Sequence, residues 1–256
     1  VTNKHKLIKP PKITKKHTLP FILTSLFIIL TLSMGAVSAA DWTVGPGGIY
    51  NYTSIQDAIN NESTVSGDTI SVYDNGGTPY AYNENVVVNK TNLTVQSSGQ
   101  VTVRGSSAST PVFTVNNQGA YASIIGFILT GATNSAGVLV TGTSDVTLTN
   151  LTINSCQRGV MMTGANTNIT VDGASIISPS AQGILVESGT TSNLTINNTT
   201  INNSGSTAID KPMNANIDTI NIQNTTINNP AYHGIYLFGS SGYGTYVKNI
   251  TINNTN

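Results

Sequence analysis

The sequence predicts an all-β solenoid, a parallel β-helix with three short strands in each coil. Three observations carry that prediction. First, an eight-residue pattern of two aliphatics two apart, then a third five residues on, recurs as Val146/Leu148/Ile153, Ile169/Val171/Ile176, Leu194/Ile196/Ile201 and Ile220/Ile222/Ile227. Second, each copy follows a short apolar strand that opens at a small residue: Gly137, Gly159, Gly183, Ala208 and Gly234. These openings step by 22, 24, 25 and 26 residues, a solenoid period. Third, one turn position is repeatedly Asn or Gly, at Gly126, Asn150, Gly173, Asn198, Asn224 and Asn249; these residue types tolerate positive φ, so each coil is expected to bend there. A unit this short cannot bury its own apolar face, and neighbouring units must stack to make a core.

The elements follow in order. Six of the eleven basic residues are lysines between Lys4 and Lys16, followed by an apolar run from Leu19 to Leu32 and by small residues at Ala36-Val-Ser-Ala-Ala40. Residues 1–40 therefore read as a secretory signal cut after Ala39 or Ala40, or as an uncleaved membrane anchor over residues 19–40. Either way residues 41–256, the β-helix domain, are expected outside the cytoplasm. Tyr52 to Asn60 is the one helical pattern after the leader, with Ser54 and Asp57 as a capping pair, and is expected to cover the first coil's open core. Thr69–Val72 with its preceding Gly67-Asp68, Tyr82–Val88 and Leu93–Val95 read as the first strands. Fainter copies of the repeat stand at Ala122/Ile124/Leu129 and Thr245/Val247/Ile252. The chain stops just past a repeat strand, where an uncapped solenoid leaves edges and core open, so further chain is expected beyond Asn256.

The neutral formal charge of the whole chain hides an asymmetry. From Asp41 onward there are five basic and eleven acidic residues, a net of −6, which argues against a nucleic-acid partner. The single cysteine, Cys156, has no internal disulfide partner and is expected to be a buried small apolar group.

The string Ser54-Ile-Gln-Asp-Ala-Ile59, Gly67-Asp-Thr-Ile70, Glu84-Asn-Val86 and Leu93-Thr-Val95 resembles the opening segment of right-handed parallel β-helix proteins of the pectin-lyase-like fold. The Asn/Thr-rich coils behind a secretory leader are most similar to adhesin-like surface proteins of methanogenic archaea. That resemblance implies a secreted or cell-surface protein acting in adhesion, with a carbohydrate or a surface protein of another cell as partner. The membrane would be met only through the N-terminal segment or a C-terminal anchor. The fold also hosts lyases, hydrolases and esterases, so a polysaccharide-active enzyme is the alternative, and a structural spacer of the envelope a second one.

The side chains argue against catalysis. Glycoside hydrolysis needs two facing carboxyl groups about 5–10 Å apart. The candidates Asp145, Asp172, Glu187, Asp210 and Asp218 share no column of the repeat. His233-Gly-Ile235 resembles the His-Gly string of polygalacturonase-like enzymes, but the paired aspartates and the Arg-x-Lys motif are missing, so no catalytic residue is expected. One histidine and one cysteine after the leader leave no metal centre, and no cofactor is expected. A binding face is the positive expectation. Strand alternation turns Leu139, Met161, Leu185, Asp210 and Tyr236 outward, one per coil, with Phe238, Tyr232 and Tyr243 extending the column. An exposed apolar stripe of this kind marks a partner surface unless loops fold back over it. Among the Asn-x-Ser/Thr triplets, the turn asparagines Asn150, Asn198, Asn224 and Asn249 are expected to be tied into stacked turns. Asn51, Asn61, Asn89, Asn168 and Asn193 are the expected glycan sites.

Overall fold

The computed structural model describes residues 38–240, 242 and 244–256. The signal or anchor expected over residues 1–40 therefore lies outside the described residues except for its last three, and Tyr243 lies outside them too. Strands are numbered β1 to β23 along the chain. Those that stack to form the longest sheet are β1 (Asp41–Val44), β2 (Thr69–Tyr73), β5 (Thr94–Ser98), β8 (Ser123–Ile125), β11 (Ser144–Thr149), β14 (Asn166–Asp172), β17 (Gly189–Asn197), β20 (Ala215–Gln223) and β23 (Val247–Asn253). The second sheet stacks β4 (Val86–Val88), β7 (Phe113–Val115), β10 (Ala136–Thr141), β13 (Arg158–Thr163), β16 (Ile184–Val186), β19 (Ile209–Lys211) and β22 (Ile235–Leu237). The third stacks β3 (Tyr80–Asn83), β6 (Val101–Arg104), β9 (Ile128–Thr130), β12 (Thr152–Asn154), β15 (Ser175–Ile177), β18 (Thr200–Asn202) and β21 (Thr226–Asn228). Every strand pairing is parallel and joins equivalent strands of successive coils, as in Val138 to Val160, Leu148 to Val171 and Ile153 to Ile176.

The register places the repeated aliphatics in continuous inward columns. Val146, Leu148, Ile169, Val171, Leu194, Ile196, Ile220 and Ile222 are all completely buried, and the third-strand residues Ile153, Ile176 and Ile201 join the same core. The opening small residues exist because the coil is narrow there. A Cβ on Gly159 would lie 2.4 Å from the Gly183 carbonyl oxygen and 2.7 Å from Ile176 Cγ2, whereas at Gly234 the nearest atom, Ile227 Cγ2, is 3.8 Å away. Gly159→Ala is expected to lose about 1–3 kcal/mol through overpacking, and Gly234→Ala to be neutral or slightly stabilising. Urea midpoints of the two variants check this; equal midpoints would mean that the glycine column is not packing-limited.

Three columns of left-handed residues turn the chain. Gly126, Asn150, Gly173, Asn198, Asn224 and Asn254 form one, with φ between 48° and 81°. Gly131, Ser155, Ser178, Asn203 and Asn229 form a second. Asn92, Tyr121, Asp145, Asn168 and Asn193 form a third, ahead of the inward strand residues. The expected turn residue Asn249 is not among them. It opposes Thr219, because β23 pairs with β20 through Ile250 to Ile220 and Ile252 to Ile222. The last repeat is therefore Ile250/Ile252 followed by a turn at Asn254, not Thr245/Val247/Ile252. The misalignment has a plain source: the inward position ahead of the repeat pair is polar in β14 and β17 (Asn166, Thr191) but aliphatic in β20 and β23 (Ile217, Val247), so Val247 and Ile252 mimic the repeat spacing.

The two ends of the solenoid differ. Helix α1 (Ile55–Asn60), shorter than the pattern from Tyr52 suggests, lays Ile55, Ala58 and Ile59 over the first coil with all three completely buried. Ser54 is its N-cap, accepting from the Asp57 backbone N–H. The Glu84 carboxylate completes that end by accepting from Ser54 Oγ and from the Ile55 and Gln56 backbone N–H groups at 2.9–3.0 Å. Lys90 Nζ closes the other end of the helix by donating to the Asn61 and Thr64 carbonyls. On the final coil, by contrast, Ile250 and Ile252 are 52% and 46% exposed although their partners Ile220 and Ile222 are buried. No helix among the described residues is long and apolar enough to cross a membrane.

Candidate functional site

The outward column of the second sheet is real as a register. Leu139, Met161, Leu185, Asp210 and Tyr236 are successive in-register partners from β10 to β22. As an exposed stripe it is broken. Leu139 and Met161 are half-buried, Leu185 is only 3% exposed, and Tyr236 is 39% exposed. Leu185 thus departs from the expectation of an exposed apolar residue. Its partners Met161 and Asp210 stand on both adjacent rungs at about the 4.8 Å strand spacing, and side chains stacked so closely displace water from the one between them.

The open part of the column lies at its C-terminal end and is aromatic. Tyr236 stacks against His233 with centroids 5.2 Å apart and planes 29° from parallel, and lies 6.3 Å and 35° from Phe238. Three rings therefore form a contiguous, mutually tilted row across β22 and its flanks. Tyr232, 74% exposed, stands beside it in sequence. His233 enters this row through its ring, which stacks on Tyr236. The sequence pattern placed Tyr236 and Phe238 on the face but missed the part His233 plays.

Polar side chains stand on the coils preceding the rings. Gln182 Nε2 donates to Asp210 Oδ2 at 3.2 Å, while Asp210 Oδ1, Gln182 Oε1 and Arg158 Nε are enclosed without a partner among the described residues. Lys211 points inward from β19 and is completely buried. Its Nζ donates to the Phe238 carbonyl and lies 6.0 Å from that ring's centroid. Burial pushes its pKa below the ordinary lysine value.

Three of the other carboxylates considered for chemistry, Asp145, Asp172 and Asp218, are engaged by neighbours on the ladder, while Glu187 is half-buried just past β16. Asp145 Oδ1 accepts from Asn168, and Asp172 Oδ1 accepts from both Asn197 and Asn198. Asp218 accepts from Ser192 Oγ and pairs with Lys248 Nζ at 2.6 Å. The Lys248 and Ser192 bonds hold the Asp218 pKa below the usual carboxylate range, and the same pairing raises that of Lys248. No group of three or more His, Cys, Asp or Glu side chains among the described residues converges as a metal site would require. Cys156 is buried, and burial pushes its thiol pKa up.

The expected glycan sites divide. Asn51 is exposed, Asn61 and Asn89 are half-buried, and Asn89 Oδ1 is enclosed without a partner among the described residues. Asn168 and Asn193 are not loose residues ahead of a strand. They sit in the left-handed column within β14 and β17, with Asn168 bonded to Asp145 and Asn193 to Asn168. This column is not legible in the sequence, because a single left-handed residue leaves the strand's hydrophobic spacing unchanged on either side.

No family model matches the chain. Among solved structures it is similar to a pectate lyase (15% identity, 86% of this chain and 79% of that one, TM-score 0.44). An alginate lyase shares 12% identity over 84% of this chain and 40% of its own, with a TM-score of 0.41. The catalytic domain of an α-1,3-glucanase shares 12% identity over 84% and 58%, with a TM-score of 0.37. Among curated proteins it is similar to a cell surface glycoprotein of Methanothermus fervidus, 30% identical over 128 residues, which is half of this chain and 20% of that protein. The chain is a parallel β-solenoid that spans about a fifth of the length of this curated relative.

Proposed function

We propose that the chain is an exported cell-surface β-helix protein that binds a carbohydrate or protein partner through the outer face of its second sheet, without catalysing a reaction. The observation that carries this is the row His233–Tyr236–Phe238, rings 5.2 and 6.3 Å apart on one face, with half-buried Met161 and Leu139 on the same outward column beyond Asp210 and buried Leu185. Rings of this kind offer a flat apolar surface with a polar edge, suited to the face of a sugar or to a protein side chain. Similarity to a cell surface glycoprotein supports the surface location. The non-catalytic reading is supported by Asp145, Asp172, Asp210 and Asp218, each of which has at least one oxygen engaged by asparagine, glutamine, serine or lysine.

The test uses residues 41–256 against a panel of plant and microbial polysaccharides and whole cells. Attachment is expected for at least one, with no reducing ends or unsaturated products released. Changing Leu139, Met161 and Tyr236 together to Ser is expected to abolish attachment while moving the melting temperature little. Leu185 is left intact because it is buried. Product release would favour the polysaccharide-active enzyme. Failure to attach to any member of the panel would favour the spacer.

A further inference from the structure

The Asn-x-Ser/Thr triplets of this chain fall into two structural states. An N-linked glycan is joined to the asparagine side-chain nitrogen, so the engagement of each Nδ2 decides whether a folded chain can accept one. Two carboxylates set that state for the coils. Ionised carboxylates only accept hydrogen bonds, so Asn168 must turn its Nδ2 to Asp145 (2.8 Å), and its Oδ1 then faces Asn193 Nδ2 (2.9 Å). In the same way Asn197 and Asn198 turn their Nδ2 atoms to Asp172 (2.9 and 3.0 Å), and Asn197 Oδ1 receives Asn224 Nδ2 (3.1 Å). Each ladder is a row of amides pointing back toward an aspartate, with every nitrogen occupied.

Asn51 is forced the other way. Its Oδ1 accepts from the Thr43 backbone N–H at 2.9 Å and from Thr43 Oγ1 at 2.8 Å. A backbone N–H can only donate, so the oxygen faces β1 and the nitrogen faces away, with no acceptor among the described residues. Asn51 and Thr53, the first and last residues of the triplet, are both exposed. Asn61 repeats the arrangement locally, its Oδ1 accepting from the Ser63 backbone N–H at 2.8 Å.

We propose that Asn51, with Asn61 as a second site, carries an N-linked oligosaccharide, and that Asn168, Asn193, Asn198 and Asn224, whose Nδ2 atoms are donating, are withheld by the fold. This rests on the exported location proposed above and not on the binding face. The donor class is a lipid-linked oligosaccharide. Asn51 Nδ2 attacks the anomeric carbon, the N–C1 bond forms as the C1–O bond to the lipid phosphate breaks, the lipid phosphate leaves, and one amide proton passes to a base. Asn51 lies against β1, the outermost strand of the nine-stranded sheet, whose edge it caps together with Tyr52.

The test incubates folded residues 41–256 with an oligosaccharyltransferase and its lipid-linked donor. The enzyme is chosen because it modifies short peptides spanning each triplet. Glycopeptide mapping is expected to find Asn51 and Asn61 modified in the folded chain, and modification of Asn168, Asn193, Asn198 and Asn224 lost relative to the peptides. Asn51→Gln should remove one glycan mass from the intact protein and leave Asn61 modified. Occupied ladder sites in the folded chain would overturn the proposal. So would an Asn51 that stays bare when its peptide is modified. Polysaccharide attachment is measured separately, so loss of this proposal and loss of the binding reading are distinguishable.

Discussion

Ile196→Ala and Ile222→Ala are each expected to destabilise the solenoid by about 2–5 kcal/mol, the range for truncating a fully buried aliphatic. Both side chains are completely buried and stack directly on one another across β17 and β20. Each also touches rungs above and below, so a cavity there cannot close without moving two coils. The neighbours Thr195 and Asn221, paired across the same strands but half-exposed on the outer face, are expected to lose less than about 0.5 kcal/mol as alanine. Urea unfolding of the four variants checks the pair of statements together. Equal losses at inward and outward positions would place the strand register one residue off, because a one-residue shift exchanges the two faces.

Lys211→Met is expected to stabilise the chain. Lys211 occupies an inward column that reads Val140, Met162, Val186, Lys211, Leu237 through successive rungs, and no carboxylate is bonded to its Nζ among the described residues. Replacing a buried ion by a packed apolar side chain commonly gains about 1–4 kcal/mol, offset here by about 1 kcal/mol for the donor lost to the Phe238 carbonyl. The gain should depend on pH. Burial lowers the folded-state pKa below the ordinary 10.5, so between those two pH values the unfolded chain holds the extra proton. Stability of the unsubstituted chain therefore rises with pH across that window, and the advantage of Lys211→Met shrinks as pH climbs toward 10.5. A variant less stable than the parent at neutral pH would mean that the amine contributes more through the Phe238 bond than it loses by desolvation.

By itself the sequence determined the architecture and most of the register. The eight-residue pattern is a direct imprint of side chains pointing alternately into a narrow core, and the opening glycines are an imprint of the coil's tightest point, so both are visible without a structure. The helix over the first coil was equally legible, since capping residues and apolar spacing are local signals. The tertiary structure decided what depends on neighbours above and below. It shifted the last repeat to Ile250/Ile252 because Val247 pairs with Ile217, at an inward position that is polar in the preceding coils. It buried Leu185 while leaving Tyr236 open, a difference between a rung with stacked partners on both sides and one near the end of its sheet. It turned His233 into part of an aromatic row, and it separated bonded from unbonded asparagines through Asp145 and Asp172. Apart from the local His233–Tyr236 contact, those outcomes rest on contacts between residues about one coil apart in sequence, and the one-dimensional pattern of a single coil holds no record of which neighbour each side chain meets.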